Sequence, residues 1–553
     1  MRQMKWMVGA AAAVGLLATA AQPASAADPH RGGILRLVSA SAGGTLDPKI
    51  NYTLQYWTMY QYTYDGLLTF KHAAGSDGFT IVPDLAEAMP ESQNGGKTYV
   101  FKLRKGIKFS NGKELDVKDV VASFQRIFKV SSPTAGSFYN GIVGADACLK
   151  TPATCTLDGG VVADEANNTI TINLVAPDSE FFDKISVPHA VILPADTPNK
   201  DMGNTPIPGT GAYMFAAYDP NKQLKVVRNP YFQEWSKDAQ PDGYPDEIHY
   251  DFGLAGEDQI TAIENGQADW TLDQPPADRL AEIGTKYPSQ VHINTLTAMW
   301  YAPMNVNIPP FNNLKARLAV NYAIDRNAMV KLFGGKVLAQ PACQIIPPGF
   351  DGYVPYCPYT KHPGAKWSAP DLAKARRLVK ESGTAGQKVT IIVQDLAADK
   401  AEGTYLQSVL KAIGYDASVK VLSQNIQFTY IQNTNNKVQI SITQWYQDYP
   451  APSDFLNVLF GCDTFHPGSD SSVNIAGFCD KNIQAMMQHA MTTSLTDKAA
   501  AAKEWTAVDK AMTDQAPAAV MFTPKYIDFL SKRVGNYIFN AQYYWQQNLA
   551  WVQ

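Results

Sequence analysis

The residues best placed for chemistry in this 553-residue chain are Gln444-Trp445-Tyr446-Gln447-Asp448. They come just past the last strand of a strand–helix alternation. In open α/β sheets that is where ligands sit, outside the carboxyl ends of the strands. The task suggested is binding rather than turnover. The chain has no Gly-x-Ser-x-Gly elbow and no His-Glu-x-x-His motif. Gly209-x-Gly211 lacks the third glycine of a dinucleotide loop. The eight histidines (His30, His72, His189, His249, His292, His362, His466 and His489) are scattered and read mostly as surface or loop residues. Six cysteines form three sequential pairs: Cys148 with Cys155, Cys343 with Cys357, and Cys462 with Cys479. Without Cys-x-x-Cys or His-x-x-x-His spacing, zinc is a weak reading. In an oxidising compartment disulfides form instead, and nearest-neighbour pairing is the simplest of the connectivities open to six cysteines. No metal and no cofactor is predicted.

The elements that must position the 444–448 segment are legible in outline. Ser368-x-x-Asp371 resembles a capping box with Asp in place of Glu. Leu372, Ala375, Leu378 and Val379 then make an apolar helix face, which Gly383 closes. A strand is expected over 389–393, and a helix carrying Tyr405, Leu406, Val409, Leu410 and Ile413 up to Gly414. Further strands follow over 419–422 and 438–443. This is an α/β unit with a largely parallel sheet. Upstream, 98–104 alternates as a half-buried strand, 107–109 reads as a second short strand, and Asp116 is set to cap a helix bearing Val117, Val120, Val121, Phe124, Ile127 and Phe128.

Arg2 and Lys5, an apolar run over 7–21 and Ala24-Ser25-Ala26 form the three regions of a signal peptide over 1–26. The apolar run is shorter than the roughly 20 residues that span a bilayer. No cysteine beside the cleavage site offers a lipid anchor, so a soluble, periplasmic or otherwise extracytoplasmic protein starting at Ala27 is expected. Losing Arg2 and Lys5 moves the net charge from −4 to −6. Such mild acidity argues against nucleic acid as a partner. The chain is too long for one core, so two or three domains are expected. Its 27 Tyr and 10 Trp suit a binding cleft, although most belong in cores.

An ordered set of short motifs is more specific than any periodicity. Thr45-Leu46-Asp47-Pro48, Tyr64-Asp65-Gly66-Leu67-Leu68 and Pro83-Asp84-Leu85-Ala86 lead into the 97–124 strand–turn–strand–helix segment. Gly209-Thr210-Gly211-Ala212-Tyr213, Arg228-Asn229-Pro230-Tyr231-Phe232, Glu264-Asn265-Gly266-Gln267-Ala268-Asp269 and Met304-Asn305-Val306 follow. Pro310-Phe311 then leads to Arg317-Leu318-Ala319-Val320-Asn321-Tyr322-Ala323-Ile324-Asp325-Arg326. From about residue 33 onward the chain resembles the extracytoplasmic solute-binding family that holds dipeptide, oligopeptide and nickel receptors of ABC importers. The resemblance implies a periplasmic-binding-protein-like α/β fold, two lobes joined by a hinge with an extra inserted domain. Domain I would comprise 27–66, 207–297 and 523–553, domain II the insertion 67–206, and domain III 298–522. It also implies a monomer that closes on a peptide or small-molecule ligand and docks on a membrane permease.

The same resemblance assigns roles. Asp448 would pair with a ligand α-ammonium, and Trp445 would line a side-chain pocket, flanked by Gln444 and Tyr446. Tyr52 and Leu54 would form the opposite wall, from domain I; Trp300 and Tyr301, near the start of domain III, are lesser candidates. Tyr56, Tyr60 and Tyr64, spaced by four, read as core. A disulfide between Cys462 and Cys479 would brace the loop beside the ligand. One departure stands out. Dipeptide receptors commonly clamp the ligand carboxylate with a domain III Arg, but there is no Arg between Arg377 and Arg533, and Gln394 and Asp395 lie where one would fall. A longer peptide, a peptide-like metabolite or another cationic solute fits better than a strict dipeptide. Chelated nickel, haem or another amine-bearing metabolite on the same fold is the nearer alternative. A secreted hydrolase or a purely structural envelope protein is the remoter one.

Overall fold

Val389, Ile391 and Val393 alternate along strand Lys388–Gln394, which is the centre of a three-stranded parallel sheet between Asp416–Leu422 and Ile440–Ser441. The computed structural model describes residues 29–276 and 278–553, so the leader expected over 1–26 lies outside it. Helix Leu372–Ser382 starts at Asp371, whose carboxylate accepts from the Lys374 amide at 2.9 Å. The expected capping box is absent: Ser368 bonds the Thr360 hydroxyl at 2.8 Å, and the cap falls three residues later. Gly383 closes the helix with φ +70°. The second helix runs over Ala397–Ile413, eight residues longer at its start than its apolar stripe suggests. Its first turns bury Asp399 and Glu402, which break the expected hydrophobic pattern.

The chain then changes sheets. Ile442 still donates to Ile392 at 2.9 Å, but Thr443–Tyr446 is a separate strand, antiparallel to Ala298–Pro303, with Trp300 opposite Gln444. Gln444, Trp445 and Tyr446 are therefore within a strand rather than past one, and only Gln447 and Asp448 lie beyond its end. Strand Ala298–Pro303 is buried on both faces. Ala298, Trp300 and Ala302 join one apolar cluster and Met299 and Tyr301 another, as period-two alternation requires.

The twelve-residue strand Ala518–Phe529 is shared between two halves of the molecule. Ala518 to Phe522 pair with Ala298–Pro303, while Lys525 to Phe529 pair with Val291–Thr295. The two crossings, 295–298 and 522–525, lie side by side. On one side is a five-stranded sheet in the order Trp270–Thr271, Ile34–Ser39, Glu247–Phe252, Gln223–Arg228, Tyr213–Asp219. On the other is the parallel sheet just described.

A four-stranded antiparallel sheet (Ser92–Gln93, Thr98–Lys102, Thr169–Asn173, Val161–Asp164) carries helix Val117–Lys129. Asp116 caps that helix in a reciprocal box with Asp119. The short strand expected over 107–109 is reduced to a single bridge, Lys108 to Glu114, because the chain reverses at once through Gly112. Arg126 of the helix reaches Asp47 through two bonds of 2.8 and 2.5 Å, an ion pair with both side chains fully enclosed. The apolar cluster of this unit continues through Tyr449, Phe455 and Leu459 into the far half of the chain.

All three sequential cysteine pairs are disulfides. Among the described residues no helix is long and apolar enough to cross a membrane. The bond Cys462–Cys479, closing a separation of 17 residues, should contribute about 3 kcal/mol by restricting the unfolded chain. Replacing both cysteines by Ser should lower the denaturant midpoint of that half accordingly; an unchanged midpoint would refute the estimate.

Candidate ligand-binding site

Aromatic rings and carboxylates from several segments converge on one cavity of about 600 Å³ between the two halves, a size usual for small-molecule sites. All seven residues singled out from the sequence line it: Tyr52 and Leu54 from one half; Trp300, Gln444, Trp445, Tyr446 and Asp448 from the other. Tyr301 does not, since it points the opposite way from Trp300 into the second core. Tyr56, Tyr60 and Tyr64 are buried in the core. Trp300 is fixed edge-on by Tyr446, at 5.6 Å between ring centres, and stacked on Phe522 at 5.7 Å.

Asp448 leaves its strand into a polar knot. Its carboxylate accepts the Tyr52 hydroxyl from across the cavity. Its amide donates to Asp454 Oδ2 at 2.8 Å, and its carbonyl accepts the Gln542 side chain, which also accepts from Gln447 at 2.9 Å. The Tyr52 ring is wedged against Trp57, His189 and Trp445, the last edge-on at 5.6 Å. His189 is buried against Thr134 at 2.8 Å, and burial holds it down to about 3, so it is a neutral wall.

Two carboxyl groups in this knot have no cation. Burial pushes Asp448 up to about 7, only partly offset by the Tyr52 hydrogen bond. Burial, with the Asp448 charge added, pushes Asp454 well above the usual carboxylate range. Burial and Asp448 together raise Tyr52, so its hydroxyl stays a donor. Desolvation disfavours the charged form, and like charges disfavour it further. The pair therefore retains a proton near neutral pH.

The cavity has one sign of charge. Asp273, Asp278, Asp399 and Asp448 line it, and among the described residues no Lys, Arg or His does. Where a carboxylate clamp would fall, Gln394 faces the cavity and donates to Gln427 at 3.3 Å, while Asp395 turns outward to Lys400 at 2.8 Å. Among the described residues no group of three or more His, Cys, Asp or Glu could hold a metal. Gly209 and Gly211 serve packing: a Cβ on either would strike the Thr63 backbone at 2.0 and 2.6 Å.

Asp454, Gln542, Tyr526, Tyr544, Phe333 and Asp399 were not legible as site residues. Asp454 reads as part of a Pro-rich turn, and the others come from segments whose convergence no local pattern records.

Three likenesses bear on this arrangement. The oligopeptide-binding protein OppA of Escherichia coli is 26% identical over 436 residues, covering 75% of this chain and 74% of that one. The probable deoxycholate-binding periplasmic protein YgiS of Escherichia coli is 24% identical over 560 residues, covering 98% and 97%. The structure of the Helicobacter pylori periplasmic binding protein DppA in complex with the peptide STSA superposes with a TM-score of 0.79 at 20% identity, covering 95% and 98%, and establishes the shared fold. The family model of the bacterial extracellular solute-binding proteins, family 5 Middle, matches residues 80–466. The chain belongs to the bacterial extracellular solute-binding proteins of family 5.

Proposed function

We propose that the protein is the solute receptor of an ABC importer, which captures a peptide or peptide-like amine, closes on it and presents it to a membrane permease without altering it. The observation that carries this reading is the Asp448 carboxyl, enclosed at the cavity wall and held by Tyr52 from the opposite half with no cation beside it. A fixed carboxylate in a closed, poorly solvated cleft attracts an ammonium more strongly than one in water. The paired crossings at 295–298 and 522–525 supply a hinge. Relatives named for peptide binding support the same ligand class. A deoxycholate-type ligand, suggested by the name of one relative, is disfavoured because its carboxylate would find no base among the described lining residues.

Asp448→Ala should weaken binding of a free-amine peptide more than tenfold, about 1.4 kcal/mol, in calorimetric titration, and the peptide should be recovered intact. Equal affinity for wild type and variant would remove Asp448 from the site.

Binding should also depend on pH in a definite direction. The groups facing Asp448 are Tyr52, Asp454, Tyr139 and Tyr544, and none is cationic. The ammonium complex needs the carboxylate, but the free group is held near 7. Affinity should therefore fall as pH drops below about 7, with uptake of released protons by buffer. It should fall again above about 8, where a peptide amine loses its charge. A flat profile between pH 5 and 7 would contradict the assignment.

A further inference from the structure

Helix Ala397–Ile413 brings a further acid, Asp399, to the cavity wall, with Glu402 buried beside it. Asp399, in its first turn, lines the wall and is 7% exposed; Glu402, three residues on and so on the same helix face, is fully enclosed. One oxygen of Asp399 and both oxygens of Glu402 have no hydrogen-bond partner. No cation is among the groups acting on either carboxyl. Buried polar groups are normally satisfied, and three orphaned carboxyl oxygens in one place need an explanation. The Gln444 side-chain oxygen, which also faces the cavity, is orphaned too.

The pair is separate from the Asp448 knot. Asp399 acts on the Tyr446 hydroxyl, and Tyr446 ends its strand two residues before Asp448. The cavity thus carries Asp399 and Asp448 besides Asp273 and Asp278 and, among the described lining residues, no base.

We infer that Asp399 and Glu402 form a second cation subsite, so that the solute carries two positive centres: an ammonium at Asp448 and a Lys- or Arg-type side chain, or a second amine, at Asp399. This rests on the reading of Asp448 given above. Burial pushes Asp399 up to about 7 and Glu402 well above its ordinary value. The pair therefore holds protons, which an incoming cation displaces. A ligand carboxylate inside the cavity would meet only repulsion, whereas a chain terminus left in solvent would not.

The test uses the full-length protein and three tripeptides, Lys-Ala-Ala, Ala-Lys-Ala and Ala-Ala-Lys, each compared by calorimetry with its norleucine counterpart, which keeps the aliphatic chain and removes the charge. The expected result is at least tenfold tighter binding of the Lys form at one position. In Asp399→Asn/Glu402→Gln the ratio of Lys-peptide to norleucine-peptide affinity at that position should fall to about one. Norleucine peptides binding equally well or better at all three positions would overturn the inference, as would a Lys preference that survives the double substitution. Should the variant fail to fold, the comparison on the unaltered protein still decides. 1,5-Diaminopentane and pentylamine, read by melting temperature, separate the two readings. If no peptide binds but the diamine alone stabilises, the peptide reading falls and the second subsite stands. If neither peptides nor diamine have an effect, both fall.

Discussion

The carboxyl of Asp448, taken out of water with Asp454 beside it and only a tyrosine hydroxyl for company, sets the terms for everything around it. A buried charge is costly unless it is paired. Here the compensation is partial, and it is assembled from far-apart pieces. Tyr52 comes from the first fifty or so residues, Asp454 from the start of helix Ser453–Phe460, and Gln542 from the C-terminal segment. Each must be delivered to within hydrogen-bond distance. That is a demand on the scaffold as much as on the site, and it explains why so much polar structure is buried behind the cavity.

Most of that buried structure consists of the motif residues. Asp47 of Thr45-Leu46-Asp47-Pro48 holds Arg126, and Lys49 donates to the His189 and Val191 carbonyls at 2.8 and 2.5 Å. Asp65 accepts from Thr210 at 2.5 Å, tying two further motifs together at the point where Gly209 and Gly211 press on Thr63. Asp84 accepts the Trp235 indole at 3.1 Å. None of these lines the cavity. These motif residues weld the chain's segments into one frame, apart from the residues that line the cavity.

This division explains what the sequence could and could not tell. Local physics marked the Asp116 cap, the helix stops at Gly383 and Gly414, the central strand near 389–393 and the tyrosine stripe in the core. Asp448, Trp445 and Tyr52 were reachable because they sit at fixed offsets from recognisable motifs. The capping residue at 371 was misjudged because two polar residues three apart each looked competent. The start of helix Ala397–Ile413 was missed because buried acids interrupted its stripe. The passage of the chain from one sheet to the next at Ile442 left no mark, since an apolar run and the alternating run after it read as one strand and its overhang. Asp399, Gln542 and Tyr544 join the cavity only through tertiary packing, which no window along the chain can sense.

Strand Ala518–Phe529 carries a consequence for how this molecule is inherited and handled. One continuous strand pairs with Ala298–Pro303 at one end and with Val291–Thr295 at the other, so each of these two strands depends on it for a partner. A fragment cut at either crossing would present a bare row of backbone donors and acceptors, which invites pairing with other chains. The two halves are thus joined through the pairing of one strand as well as through the chain.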